Sequence, residues 1–455
     1  MTKRIKKTYF LISLGCAKNL VDSQSMSQLL NRKGLTLVDQ PNNAEYLIVN
    51  TCGFLKSARE EAISIMTDLA SKKMPWQKLI ASGCMPETHR QELIETIPNL
   101  DGLIGTRRWM DIATVVEKTR NSRNPLPYTH FPKADTVGTD EKNTNRTAIQ
   151  GGSAYLKIAD GCRRSCAFCL IPKIKGTLVS RPIDKILTDA QALVDADVKE
   201  IILIAQDITD YGHDLGQKNG LSQLLKAIVK AVPDLPWLRL MYTYPGFVNE
   251  ELIQLMKTES QIIPYLDMPL QHADPRVLRA MGRPQNINTV RKNLQQIRSA
   301  MGDATFRSTF IIGYPGEDDQ AFNNLVNFIQ EVRFDHLGVF AYSFEQGTPA
   351  EPLGDPIPEH IKIERVETLM KIQAEISLER NQKFIGKTLL GLIEGVDDSN
   401  QISIGRSYRD APEVDGLLVI EGLAKIGELV PVKIHSAITH DLIGTVDDEA
   451  RVDIH

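Results

Sequence analysis

The chain has 455 residues, 42% of them hydrophobic and 24% charged, with a net charge of −4. That length suggests two or three domains, each able to bury its own core. The composition excludes disordered, collagen-like and coiled-coil chains. The start, MTKRIKKTYFLISLGC, imitates a lipoprotein signal. Its apolar run, Tyr9 to Leu14, falls short of the roughly seven residues a signal core needs, and Ser13 interrupts it, so it reads as a buried first strand. No other stretch approaches the roughly 18 apolar residues of a membrane helix. The chain is therefore expected to be cytoplasmic, with no membrane partner. In a reducing compartment its six cysteines point to metal binding or catalysis rather than disulfides.

Over the first 120 residues the apolar runs TYFLISLG, AEYLIVNT, KLIASG and DGLIGT alternate with amphipathic stretches, the pattern of an open parallel sheet with helices on its faces. Cys16, Cys52 and Cys84 each follow one of these strands directly. Loops at the carboxyl ends of neighbouring parallel strands converge on one crevice, so three thiolates far apart in sequence can meet there. Taken singly, each is equally a small buried residue near a strand end. The next stretch, rich in Pro, Asn, Thr and Gly, reads as a linker. Six strand candidates follow, AYLKIAD, EIILIAQ, WLRLMYTY, IIPYLDM, FRSTFIIGY and HLGVFAYS, with helical segments between them. Six β/α units predict an incomplete barrel, since a closed eight-unit barrel needs about 250 residues; its lateral opening suits a macromolecular substrate. The last 70 residues turn to short apolar alternations split by Gly, Asp and Asn, which read as a five-stranded antiparallel barrel. The predicted class is α/β: an open parallel domain over 7–119, a linker over 120–147, an incomplete (β/α)6 TIM-like barrel over 148–384 and a small antiparallel β-barrel over 386–454.

The segment ADGCRRSCAFCLIPK carries Cys162, Cys166 and Cys169 after the first barrel strand, at the end where barrels place their chemistry. A zinc site or a closed cluster needs four protein ligands, and no second C-x-x-C exists to complete one. A 4Fe-4S cluster held by three cysteines keeps one iron open for the amine and carboxylate of a small molecule. The C-x-x-x-C-x-x-C spacing resembles the radical S-adenosylmethionine (SAM) superfamily. The resemblance implies that SAM fills the open iron and, on receiving one electron, yields a 5′-deoxyadenosyl radical. Phe168, Gln206, Asp207 and Gln271 sit where cofactor contacts are then expected, as do Gly313, Gly316 and Glu317 in FIIGYPGE. For the last three, a Pro-Gly turn of purely structural purpose is an equal alternative. Arg163 and Arg164 either hold cluster sulfurs or carboxylates, or face solvent. His272 and Arg283 lie near the fourth strand, and a lone His is more often structural than catalytic.

SLGCAKNLVDSQSM, NTCGF and ASGCMPE ahead of this core, AYSFEQGTPA near its end and a small barrel behind it resemble the radical SAM methylthiotransferase family. That resemblance implies a second 4Fe-4S cluster on Cys16, Cys52 and Cys84, with an iron open for sulfide or methylthiolate, and names the terminal barrel a TRAM domain. It implies two uses of SAM, as methyl donor and as radical source. No side chain is expected to act as acid or base, because no pKa tuning of a few units reaches an unactivated carbon acid. Family substrates are tRNA adenosines or an aspartate of ribosomal protein uS12. From Gly386 to His455 there are thirteen acidic residues against six basic ones; phosphate backbones need the opposite sign, whereas a basic ribosomal protein is attracted. SLGCAKNLVDS and RDAPEVDG resemble the RimO branch, which modifies uS12, whereas the tRNA branch starts with T-x-G-C-x-M-N. Gln24 departs from the more usual Glu. Arg409, Glu413 and Asp415 are the substrate-binding residues that the resemblance suggests. The implied partners are uS12, free or in the small subunit, a flavodoxin- or ferredoxin-type reductant and an unspecified sulfur donor, without direct nucleic acid binding. The alternatives are a tRNA methylthiotransferase and a non-catalytic iron–sulfur carrier or sensor.

Overall fold

A computed structural model describes residues 7–120, 124, 126–138, 141–447 and 449. The first six residues of the signal-like start, parts of the linker and residues 448 and 450–454 of the terminal-barrel stretch lie outside them. Six parallel strands form the N-terminal sheet: β1 (Thr8–Ser13), β2 (Thr36–Leu37), β3 (Tyr46–Thr51), β4 (Lys78–Gly83), β5 (Gly102–Gly105) and β6 (Tyr128–His130), in the order β2-β1-β3-β4-β5-β6. Every residue of β3 is buried, as in a parallel strand covered on both faces. Strand order reverses between β1 and β3, which is where an open sheet forms its crevice. β6 lies within the stretch read as a linker. It is three residues long, between Pro127 and Pro132, too short to show a period and flanked as edge strands often are.

In the central region β7 (Thr147–Gln150) and β8 (Ser153–Lys157) form a hairpin, and β9 (Ala159–Asp160) pairs with β10 (Val179–Ser180). β8 continues in parallel to β11 (Glu200–Ile204) and β12 (Trp237–Leu240); β13 (Tyr265–Asp267), β14 (Thr305–Ile312) and β15 (His336–Ala341) form a second parallel set. A bridge from Leu238 to Ile262 links the two sets, so the six predicted units stand as an open arc. Their helices pack outside around a core containing Leu156, Leu203, Leu240, Leu266 and Phe310. The final helix, Glu359–Gln382, packs along β15.

The terminal barrel closes as β16 (Thr388–Asp397), β17 (Ile402–Ser407), β18 (Leu418–Glu421), β20 (Leu442–Val446) and β19 (Leu429–Ala437). Four of its pairings are antiparallel and β18 runs parallel to β20. A closed ring of five strands cannot alternate direction at every step, because five is odd. Buried charges hold this barrel to the central region. Glu200 accepts from Arg239 at 2.6 Å and from Arg406 at 2.7 Å, and Asp335 accepts from Arg380 at 2.7 Å and from Arg409 at 3.2 Å. Burial alone would raise both carboxyls, but the flanking guanidiniums outweigh it and hold them below the usual range. Their stabilisation is therefore present above about pH 4 and is lost as pH falls through the lowered folded-state values. Glu200→Gln is expected to cost about 2–3 kcal/mol in urea unfolding at pH 7, and less once acid has protonated the wild-type carboxyl; an equal cost at both pH values would contradict this account of the junction.

Candidate active site

β1, β3 and β4 lie side by side, with Ser13 opposite Asn50 and Thr51 opposite Gly83. The loops carrying Cys16, Cys52 and Cys84 therefore leave the same edge of the sheet. Cys16 caps the helix Ala17–Arg32, and Cys84 opens the helix Cys84–Thr88. Glycines allow the loops to crowd together. Gly15 has φ +91°, and a Cβ there would stand 2.6 Å from the Cys52 Cβ; Gly83 has φ +100°, and a Cβ there would stand 2.5 Å from the Thr51 carbonyl. Asn19 stitches the loops, donating to the Leu14 carbonyl at 2.9 Å and the Thr51 carbonyl at 3.0 Å, with its own oxygen 3.8 Å from Cys84 Sγ.

The second triad sits on the loop after β8 and β9. Arg163 grips Asp210 through two bonds of 2.6 and 2.7 Å, and Arg164 holds Asp207 at 2.8 Å while lying over the Tyr244 and Phe247 rings. Both arginines therefore take the carboxylate role. A guanidinium that does reach a thiol is that of Arg283, 3.6 Å from Cys166 Sγ.

One cavity of about 330 Å³ joins the triads: all six cysteines line it, together with Phe168, Gln206, Asp207 and Gln271. Two carboxylates and three cations lie buried beneath it. Asp22 accepts from Arg146 at 2.5 Å, Lys157 at 2.6 Å and Lys175 at 3.2 Å, and Asp160 meets the same three. This network ties the helix Ala17–Arg32 to the barrel and sets the two triads against each other. Lys175, on the cavity wall, brings its surplus charge near Cys84 and Cys16.

These residues fit two clusters and a polar ligand. Each triad offers only thiol donors, which suits iron–sulfur chemistry. Burial pushes Cys162 up to about 11 and Cys84 and Cys169 up to about 12, an environment in which thiolates persist only beside a positive centre such as iron. Among the described residues no three His, Cys, Asp or Glu side chains gather tightly enough for a single ion. The thiols of a cluster stand further apart, because each binds a separate iron. The amide oxygens of Gln206 and Gln271 and the Arg283 Nε are buried without protein partners, which such groups rarely are unless a ligand satisfies them. Gln271 at φ +76° and Tyr242 at φ +66° place two strained residues on the wall, as functional sites often do.

Other sequence-predicted residues lie elsewhere. Gly313, Gly316 and Glu317 are outside the cavity lining. Glu317 is buried against Arg365 at 2.6 Å, accepts from the Gly313 amide at 2.9 Å and faces His272 at 3.3 Å. His272 also accepts from the Asp274 amide at 2.9 Å and is fully buried, so it takes its structural alternative. Arg409 is buried on Asp335 and Asn381, and the side chain of Asp415 is wholly buried on Tyr265 and Arg307. Both anchor the terminal barrel and are not open to a macromolecule, which corrects their reading as substrate contacts. Glu413 alone of that group is exposed. Sequence reasoning missed Lys18, Asn19, Lys175 and the Asp22 network. For the first two, the run CAKNLVD that starts at Cys16 was the available signal.

Comparison with known proteins agrees with this architecture. Residues 8–105 match the uncharacterized protein family UPF0004, 156–329 the radical SAM superfamily and 385–446 the TRAM domain. The ribosomal protein uS12 methylthiotransferase RimO of Roseiflexus sp. (strain RS-1) is 44% identical over 97% of this chain and 98% of its own. That of Chloroflexus aurantiacus is 42% identical over 96% and 99%, and that of Geotalea uraniireducens 38% over 98% and 100%. Among solved structures, the radical SAM methyltransferase TsrM from Kitasatospora setae, with tryptophan and a SAM analogue bound, shares the fold at TM-score 0.57 and 14% identity, over 76% of this chain and 75% of that one. Among the described residues no helix is long and apolar enough to cross a membrane. The chain belongs to the uS12 methylthiotransferase RimO family and is a radical SAM methylthiotransferase.

Proposed function

We propose that the chain replaces one hydrogen on the β-carbon of a specific aspartate in ribosomal protein uS12 with a methylthio group. The observation that carries this reading is the single cavity shared by all six cysteines, because inserting sulfur at an unactivated carbon requires a hydrogen-abstracting centre and a sulfur source within reach of the same atom. Cys162, Cys166 and Cys169 would hold the cluster that binds SAM, and Cys16, Cys52 and Cys84 the auxiliary cluster. When bound, these groups would supply a primary carbon radical, sulfur and, from a second SAM, the methyl group. The chain's own residues bind and orient. Gln206 and Gln271 offer amide oxygens to the methionine amine, Phe168 adds an apolar wall, and Asp207 is held in place by Arg164. The N-terminal domain, 7–119, carries the auxiliary cluster, 148–384 carries the SAM chemistry, and the acidic barrel, 386–454, attracts the basic substrate, free or in the small subunit. A flavodoxin- or ferredoxin-type protein would supply electrons. Mass spectrometry of uS12 from cells with and without the gene tests the proposal. One SCH3 in place of H only in the gene's presence is expected; unmodified uS12 together with gene-dependent methylthiolation of tRNA would overturn it.

A further inference from the structure

Among the described residues, two cations of the cavity lining have no carboxylate partner, one at each triad. Arg283 stands beside Cys166. Lys18 stands on the first turn of the helix that Cys16 caps, 9% exposed and on the cavity wall. Burying an ammonium without an anion is costly, and the protein meets that cost elsewhere: Lys157 and Lys175 each pair with both Asp22 and Asp160. Among the described residues no carboxylate comes within ion-pair distance of Lys18. Asp267, whose charge acts on Lys18 through space, is taken up by Arg307 at 3.0 Å and by the Tyr242 amide at 3.0 Å. Lys18 rests instead on the Tyr242 ring, its Nζ 2.9 Å from the centroid, a contact that holds a cation in place and leaves its N–H donors available. Arg164, the remaining cation on that side of the lining, is already bonded to Asp207 and Asp210.

We propose that Lys18 binds the side-chain carboxylate of the substrate aspartate, placing its β-carbon beside the triad that starts at Cys16 and selecting an acidic side chain. This rests on the reading of uS12 as substrate and adds a specificity residue to it. An aspartate carboxylate is one bond from its β-carbon, so an ammonium that fixes the carboxylate fixes the reacting atom within a few ångströms. An amide in its place offers a neutral acceptor instead of an anion and loses the charge-assisted bond, which is the condition for discrimination between near-isosteres.

The test uses the reconstituted full chain with both clusters loaded, as wild type, Lys18→Met and Lys18→Arg. Met preserves the apolar stem and removes the charge; Arg restores it. Binding is measured to uS12 and to uS12 with Asn at the target aspartate, and SAM binding is measured in parallel. Wild type is expected to bind the Asp form about thirtyfold or more tightly than the Asn form. Lys18→Met should lose that preference through weaker binding of the Asp form, and Lys18→Arg should recover part of it, with SAM affinity unchanged in both. Undiminished preference in Lys18→Met overturns the proposal, as does a loss of SAM affinity in place of uS12 affinity, which would assign the ammonium to the SAM carboxylate. Should Lys18→Met fail to load its clusters, equal binding of the Asp and Asn forms by wild type is the overturning result. Failure of wild type to bind or modify uS12 at all would instead remove the functional reading beneath it.

Discussion

Cys169→Ala is expected to abolish both SAM cleavage and methylthiolation, whereas Cys84→Ala should leave reductive SAM cleavage in place and remove methylthio transfer. Each triad has three thiols and the cavity lining holds no cysteine outside the two triads, so removing one would leave the cluster proposed there with two. The triads nevertheless stand on separate frameworks. Cys84 begins a helix of the N-terminal domain, while Cys169 belongs to the loop after the first barrel strands and is fixed by the hydrogen bond its amide donates to the Cys166 carbonyl at 3.1 Å. Loss of a metal ligand should exceed the roughly 10- to 100-fold cost of losing a residue that merely supports one. Chromatographic measurement of 5′-deoxyadenosine together with mass spectrometry of uS12 separates the two outcomes. Equal loss of 5′-deoxyadenosine in both variants, with the central cluster shown intact in Cys84→Ala, would contradict the division of labour.

Asp22→Ala is expected to be the most destabilising single substitution outside the cysteine loops. Asp22 is 1% exposed and meets Arg146, Lys157 and Lys175, leaving Asp160 as the only other acid among the described residues that touches all three. Breaking a buried pair by removing one partner costs about 3–5 kcal/mol, because the remaining charge keeps its desolvation penalty. Here three cations would share one carboxylate. For a chain of this size the thermal midpoint should fall by roughly 3–5 °C. Calorimetry measures this directly, and an unchanged midpoint would show the network to be dispensable. The same substitution should loosen the N-terminal sheet from the barrel, because Arg146, Lys157, Asp160 and Lys175 all lie on the barrel side of the contact.

Much of this architecture was legible in the sequence because it repeats. Strand and helix periods alternate, and each cysteine of the first set follows a strand, so topology alone could bring Cys16, Cys52 and Cys84 together. The terminal barrel's five strands were visible in their turn residues, but its parallel pair was not, since pairing direction follows from closure and not from local pattern. Buried charge was the least legible feature. Asp22, Arg146 and Lys175 come from distant segments, and nothing in the residues around each indicates that it will be neutralised by the others. Lys157 interrupts an apolar strand and is the one member that local pattern marks as unusual. Glu317 was ambiguous because a Pro-Gly turn beside an acid is common to ligand contacts and to structural clamps. Arg365, which decides between them, arrives on a helix whose position is set by packing against β15. Arg409 and Asp415 sit in a stretch whose likeness to relatives marked it as significant without saying whether it faces solvent or the neighbouring domain.

The central claim is that six cysteines hold two separate clusters facing one cavity. Iron and sulfide analysis of the anaerobically reconstituted chain tests it most directly, alongside two triple variants in which either Cys16, Cys52 and Cys84 or Cys162, Cys166 and Cys169 are replaced by Ala. The account predicts about eight iron atoms per chain in wild type and about four in each triple variant. Wild type with four, stoichiometric zinc in place of iron, or loss of all iron from either triple variant while the fold persists would contradict it.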